Sequence, residues 1–175
     1  MGTILERKSV RRYLDRPVTL EQVKEVLEVA RWSPSWRNGQ PWRFILVEDL
    51  RVREALAGTL PEGNPGRPSL LAAPWAVAVI ANPEESGVQD AKPYYLVDGG
   101  LVFASLMLAA KEKGLDTCFL GAVNEEAARE ILGYPEPFRL IGLTPLGYGI
   151  EPEELKPRKE VADMTWHNGF GKGIE

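Results

Sequence analysis

The stretch from Tyr95 to Lys113 constrains this chain more than any other. It holds no proline, and Leu96, Val97, Leu101, Val102, Phe103, Leu106, Met107, Leu108, Ala109 and Ala110 fall on nearly every face of a helix. A helix with one apolar stripe lies on a surface, whereas one that is apolar all round must be enclosed. Gly114 is the expected stop. The chain has 175 residues, enough for one domain. So short a chain has few layers with which to surround a helix, and part of the cover is expected from a second subunit.

The other elements read as short helices and apolar strands. Thr19-Leu20-Glu21-Gln22 is a capping box, followed by Val23, Val26, Leu27 and Ala30 at helical spacing. That helix should end near Trp32, ahead of Pro34. Phe44 to Val47 is apolar on both parities, so a buried strand is expected there. Asp49 can cap a second helix running to about Ala57. Residues 58–74 are rich in proline and glycine and read as a loop. Trp75 to Ile80 is a second buried strand, and Pro83 to Pro93 a polar connection. Leu115 to Leu120 is strand-like, and Asn124 can cap a helix from Glu125 to Leu132 that Gly133 stops. Phe138 to Leu146 is a further strand. From Ile150 onward apolar periodicity ceases, although Trp166 is present. Such an arm is either without order or laid on another surface. The element order gives α/β or α+β, with a buried central sheet flanked by helices.

Several function classes drop out. The formal net charge is −4 and the pI about 5.3, which disfavours a general nucleic-acid or acidic-membrane surface. The single His167 and single Cys118 do not make a zinc site or a nucleophilic triad. Cys118 reads as a small buried hydrophobe. No phosphate-loop motif occurs, and Gly147-Tyr148-Gly149 does not continue into a dinucleotide fingerprint. No apolar stretch precedes Glu6-Arg7-Lys8, and charge interrupts the longest apolar run short of a membrane span. A cytoplasmic protein is expected. With so few reactive side chains, a borrowed cofactor would have to supply the chemistry.

Four short constellations remain. Arg7-Lys8-Ser9-Val10-Arg11-Arg12 sets four cations and a hydroxyl close together. In an extended chain Arg7, Ser9 and Arg11 share one side while Lys8 and Arg12 point away. Charge-assisted donors of that kind suit a phosphate, although a solvated charge run has the same composition. Pro34-Ser35-Trp36-Arg37-Asn38-Gly39-Gln40-Pro41-Trp42 is a polar loop entering a strand, and its Ser and Asn also serve as turn formers. Thr117-Cys118-Phe119-Leu120-Gly121-Ala122 is a strand end at which Gly121 allows close approach of backbone to a ring. Lys156-Pro157-Arg158-Lys159 is a basic segment on the arm.

The order and spacing of these four pieces resemble the flavin-binding nitroreductase family, from Arg7 to about Arg158. Asp98-Gly99-Gly100 is also similar to the family's Asp-x-Gly turn, although a plain helix N-terminal acid is its simpler role. The resemblance implies an α+β fold with a mostly antiparallel central sheet flanked by helices, in a dimer. It implies one domain over residues 1–175, with 150–175 an extended C-terminal arm. It implies FMN, with Arg7, Ser9 and Arg11 at its phosphate and ribityl end and Lys8 contributing through its backbone. Pro34, Ser35 and Asn38 would reach the flavin from the partner subunit. Backbone of Phe119, Leu120 and Gly121 would lie beside the reactive edge, and Lys156 and Arg158 would complete the phosphate site. Trp36 stands where relatives often carry Ala or Ser, and could narrow the site or stack on a substrate. The implied cycle is ping-pong: NAD(P)H reduces the flavin, then an electron-poor acceptor such as a nitroaromatic or quinone takes its place. No side chain is assigned as general acid or base. The alternatives are a ligand-binding or regulatory protein without turnover, and a specialised relative such as a reductive dehalogenase.

Overall fold

The computed structural model describes residues 2–150 and 157–173. Its longest helix, α5 (Tyr94–Glu112), lies where the apolar run places it, and Gly114 follows in the left-handed conformation with φ of 73°. Four strands form the main sheet in the order β1 (Trp42–Val47), β2 (Trp75–Ala81), β6 (Arg139–Gly147), β5 (Asp116–Thr117). Every neighbouring pair is antiparallel. The fold is α+β.

Strand β2 shows how the sheet divides two cores. All seven of its residues are buried. Trp75, Val77 and Val79 point into a cluster with Val23, Val26 and Ala30 of α2 (Leu20–Ala30) and Val102, Phe103 and Leu106 of α5. Ala76 and Ala78, one residue out of phase, point to the other face. There they meet Leu56 of α3 (Leu50–Gly58), Leu70 of α4 (Arg67–Ala72) and Ala128 of α6 (Glu125–Leu132). Period-two alternation thus sends large side chains to one core and small ones to the other. Each large apolar side chain withdrawn from water contributes about 1.5–3 kcal/mol.

Local chemistry sets the helix ends. The Thr19 hydroxyl accepts from the Gln22 N–H, and the Gln22 side chain accepts from the Thr19 N–H. The Asp49 carboxylate accepts from the Arg51 and Val52 N–H groups at the start of α3. Asn124 caps α6, and Gly133 ends it at φ of 68°.

Five expectations are corrected. Strand β1 is not enclosed on both faces: it is the sheet edge, and Phe44, Ile45 and Leu46 are half-buried. Residues 58–74 are not all loop, because α4 forms inside them. Its Pro68 sits in the first turn, where the missing N–H costs nothing. The strand foreseen from Leu115 to Leu120 shrinks to β5 and a single bridge from Leu120 to Leu143. A short helix α1 (Gly2–Glu6) precedes the basic run, and the polar connection holds a two-residue hairpin of β3 (Val88–Gln89) and β4 (Lys92–Pro93). Lastly, α5 is long and apolar enough to cross a membrane by length and composition. Its inward residues instead belong to the core, and it carries the buried carboxylate Asp98.

The enclosure of α5 is one-sided. Val102, Phe103, Leu106, Ala109 and Ala110 are at most 3% exposed, whereas Leu96, Val97 and Leu101 on the opposite side are 40–51% exposed.

Candidate functional site

The basic run is held in extended form by the sheet. Ser9 bridges Thr117 in parallel, and the Val10 N–H donates to the Thr117 carbonyl at 3.0 Å. Beyond it the Leu14 N–H donates to Tyr148 O, and the Ile150 N–H to Arg12 O, each at 2.8 Å. Val10 is buried while Ser9 and Arg11 are exposed, as alternation requires. The alternation ends there, because Tyr13 is also buried, donating its hydroxyl to Val10 O at 2.9 Å. Burial pushes the Tyr13 phenol well above its ordinary range, helped by Cys118 and Asp116 and opposed by Arg11.

Cys118 registers what this strand brings together. Burial pushes its thiol up; Arg11, a hydrogen bond with Ser9, and Arg7 pull it down. The three residues foreseen on one side of the run all act on this thiol. Among the described residues, neither the Arg7 nor the Arg11 guanidinium has a carboxylate or hydrogen-bond partner.

The loop after α2 is strained and tied down. Arg37, Asn38 and Gln40 have φ of 47°, 58° and 48°, each a left-handed conformation costing roughly 1–2 kcal/mol for a residue with a side chain. The Ser35 hydroxyl accepts from the Gln40 N–H at 2.9 Å, and the Gln40 amide donates to Asn38 O at 3.1 Å. Pro34 and Asn38 are exposed and Ser35 is half-buried. Trp36 does not stand free over a site. Its ring packs on Tyr94 at 4.3 Å and so close to Gly87 that a Cβ there would come within 2.3 Å of the indole. Gly39 is as constrained: a Cβ on it would lie 2.1 Å from the Glu85 carbonyl oxygen.

At the strand end, the Phe119 ring meets Phe103 edge-on at 4.7 Å and remains 46% exposed. It lies over Gly121 and Gly142, where a Cβ would approach it to 2.7 and 2.9 Å. The Leu120 N–H is consumed, donating to Leu143 O at 2.8 Å. The N–H groups of Phe119 and Gly121 make no hydrogen bond among the described residues. Donor capacity therefore resides in two of the three foreseen positions. On the arm, Arg158 is exposed and Lys156 lies outside the described residues.

Asp98 has a different role from the one expected of it. It is not a helix N-terminal acid: α5 begins at Tyr94, and Asp98 is buried one turn in. Its carboxylate accepts from the Trp36 N–H at 2.9 Å and from the Ser86 hydroxyl at 2.7 Å. The available signal was a lone carboxylate inside an otherwise apolar helix.

The loop runs along α5, from Ser33, whose hydroxyl meets that of Ser105, to Trp36 at Asp98, and the basic strand joins the sheet at Thr117, beyond the C-terminal end of α5. From Asp98 to Glu112 the helix rises about 21 Å. A cavity of about 590 Å³ between α3 and α6 includes Gly121 alone of the foreseen residues, and one of about 320 Å³ beside α5 sets Pro34 with Thr3 and Ile4, just ahead of the basic run, and with Leu108 and Glu112 of α5.

An antiparallel four-stranded sheet backed by one central apolar helix defines a class of α+β proteins. Within that class the chain belongs to the nitroreductase family, whose model matches residues 4–148. It is 30% identical to an iodotyrosine deiodinase of Thermotoga neapolitana, over 89% of this chain and 91% of that one. It is 28% identical to an FMN reductase [NAD(P)H] of Bacillus subtilis, over 89% of this chain and 68% of that one. A solved nitroreductase family protein from Clostridium novyi NT superposes with a TM-score of 0.82 at 28% identity, covering 99% of this chain and 95% of the other.

Proposed function

We propose that this chain is an FMN-dependent NAD(P)H oxidoreductase acting as a homodimer. The observation that carries the reading is the open cationic strand: two guanidinium groups and a hydroxyl on one side of a pinned segment, with no carboxylate of the described residues on either guanidinium. A phosphate monoester needs charge-assisted donors that are free to reach it. The residues present therefore fit the phosphate end of FMN. When bound, FMN would supply the hydride chemistry that this chain's side chains lack.

Arg7, Ser9 and Arg11 would hold the phosphate, with Lys8 contributing backbone. The free N–H groups of Phe119 and Gly121 would face the ring, with Leu120 between them serving as a tie to β6. Pro34, Ser35 and Asn38 would reach the ligand from the second subunit. Lys156 and Arg158 on the arm would complete the phosphate site. The stripe of Leu96, Val97 and Leu101 gives the dimer an apolar face. The protein's part is to orient the ligand and aim donors at it. The acceptor is proposed to be a nitroaromatic or quinone. The deiodinase relative favours a second reading, reductive dehalogenation, on the same site.

The protein should purify yellow, release FMN on heating, and bleach anaerobically with NADH or NADPH. Chromatographic recovery of FAD, or no flavin uptake after FMN is added, overturns the reading. A coloured protein that does not bleach is a binding protein without turnover. Light scattering should show a dimer; a stable flavin-loaded monomer at micromolar concentration refutes the shared site. Cutting after Gly149 should weaken both the dimer and FMN binding. If neither changes, Lys156 and Arg158 have no such role.

A further inference from the structure

We infer that Asp98 is a positioning residue that holds the ligand-facing loop in its strained form and ties that form to the central helix. The inference rests on the FMN reading for its consequence, but its geometry stands alone. The loop from Ser35 to Gln40 bends through three left-handed residues within four positions, Arg37, Asn38 and Gln40. A backbone of that kind persists only where its surroundings over-determine it. Two of the ties are internal to the loop, from Gln40 to Ser35 and to Asn38. They fix its shape but not its place.

Its place comes from α5: the Ser105 hydroxyl meets that of Ser33 just before the loop, Tyr94 packs on the Trp36 ring, and Asp98 holds the loop backbone itself. One carboxylate oxygen takes the N–H of Trp36 at the head of the loop, and the other takes the hydroxyl of Ser86 in the neighbouring turn. That turn is in turn locked to the loop. Gly39 sits against the Glu85 carbonyl, and Gly87 sits against the Trp36 ring. Glu85 also receives two hydrogen bonds from Arg43, at 2.9 and 3.0 Å, just beyond the loop. Asp98 is the residue of α5 that hydrogen-bonds both segments, and it is 1% exposed. A carboxylate so buried is tolerated only when hydrogen-bonded. Both oxygens are, and both bonds go to the segments that frame Ser35 and Asn38. A shift of α5 therefore moves the loop with it. Because α5 also carries the exposed apolar stripe, subunit pairing and loop placement act through one rigid element.

The test compares Asp98→Ala, Asp98→Asn and wild type on two readouts. Amide hydrogen exchange of residues 35–40 in protein stripped of flavin reports the loop directly. Titration with FMN reports its use. A charge-assisted bond to a backbone N–H is worth about 10- to 100-fold in an equilibrium. Asp98→Ala should speed exchange in the loop by about that factor and weaken FMN by at least about tenfold, while β2 exchanges as before. Asp98→Asn keeps an oxygen for the Trp36 N–H and should restore both readouts to within a few-fold of wild type. If Asp98→Ala does not fold, Asp98→Glu takes its place: it keeps the charge but displaces the oxygens by a methylene, and should lose as much. Unchanged loop exchange in either variant, or failure of Asp98→Asn to rescue, overturns the positioning role. Wild type that takes up no FMN would defeat the functional reading instead, and the exchange arm would still decide the role of Asp98.

Discussion

Two regions of this molecule use arginine in opposite ways. Arg53 on α3 is buried, with its Nε and Nη1 saturated by backbone carbonyls. Its guanidinium donates to Leu70 O at 3.0 Å, Leu71 O at 2.9 Å and Ala73 O, and its Nε to Glu48 O at 3.3 Å. Those acceptors include the carbonyls that α4 leaves open at its C-terminus, so one side chain caps another helix. Burial lowers its pKa, opposed by Asp49, Glu48 and Glu54. Arg7 and Arg11 are the reverse: attached to a strand that the sheet fixes, with head groups that meet no protein acceptor among the described residues. A saturated arginine holds structure, and an open one on a rigid support is prepared for something outside the chain.

The largest expected effect tests the saturated side. Arg53→Met should destabilise the fold by about 3 kcal/mol, because it strands several buried carbonyls. FMN affinity per folded molecule should stay at the wild-type value. Urea denaturation gives the first quantity and flavin titration of the folded fraction the second. Lost affinity with stability intact would break the contrast.

Much of this division could be read from the residues, and the unread part has a physical cause. Thr19-Gln22, Asp49 and Asn124 announced their helices because a cap is a local event between near neighbours. Trp75 to Ile80 announced a buried strand because both of its faces are apolar. Arg7, Ser9 and Arg11 could be placed on one side from parity alone, and all three act on Cys118. The role of Arg53 was invisible, since three of its four acceptors lie 17 to 20 positions away, at the end of another helix. Asp98 was misassigned for the same reason: its partners are 62 positions before and 12 before it in the chain. Local chemistry is written locally, whereas a buried polar side chain takes its meaning from wherever the fold sends its acceptors and donors. The same limit applies to β1, whose apolar run on both parities gave no sign that it would lie at the sheet edge.

The next effect tests the open side. Arg7→Ala should weaken FMN by about 1.5–3 kcal/mol, the value of a charge-assisted contact. Lys8→Ala should weaken it less, because its side chain lies off the side that Arg7, Ser9 and Arg11 share. Stability should change by no more than about 0.5 kcal/mol in Arg7→Ala, as expected of a side chain with no partner to lose. Apoprotein titrations of both variants measure the order. Equal small losses would make the run a solvated surface and remove the distinction from Arg53.

The smallest effect comes from an arginine between the two extremes. Arg139 is 48% exposed at its side chain yet well paired, reaching Glu125 from Nε at 2.8 Å and Nη2 at 3.0 Å. Glu125 also accepts from the Leu140 N–H at 2.9 Å. The Arg139 hydrogen bonds chiefly, with the Leu140 N–H and the charges of Arg139 and Arg129, hold the Glu125 carboxyl below its ordinary range against the opposing effect of burial. The sign follows from linkage. A carboxyl whose pKa is lower folded than unfolded contributes stability above its unfolded pKa, and that contribution is lost as pH falls through the folded one. Glu125→Gln should therefore lower stability by about 1 kcal/mol near neutral pH, less than Arg53→Met because the pair meets solvent. The gap from wild type should close as the solution is acidified below the carboxylate range. Urea midpoints across that range measure it. A gap that persists in acid would mean that the carboxamide disturbs packing, and that pairing alone does not place Arg139 between the saturated arginine and the open ones.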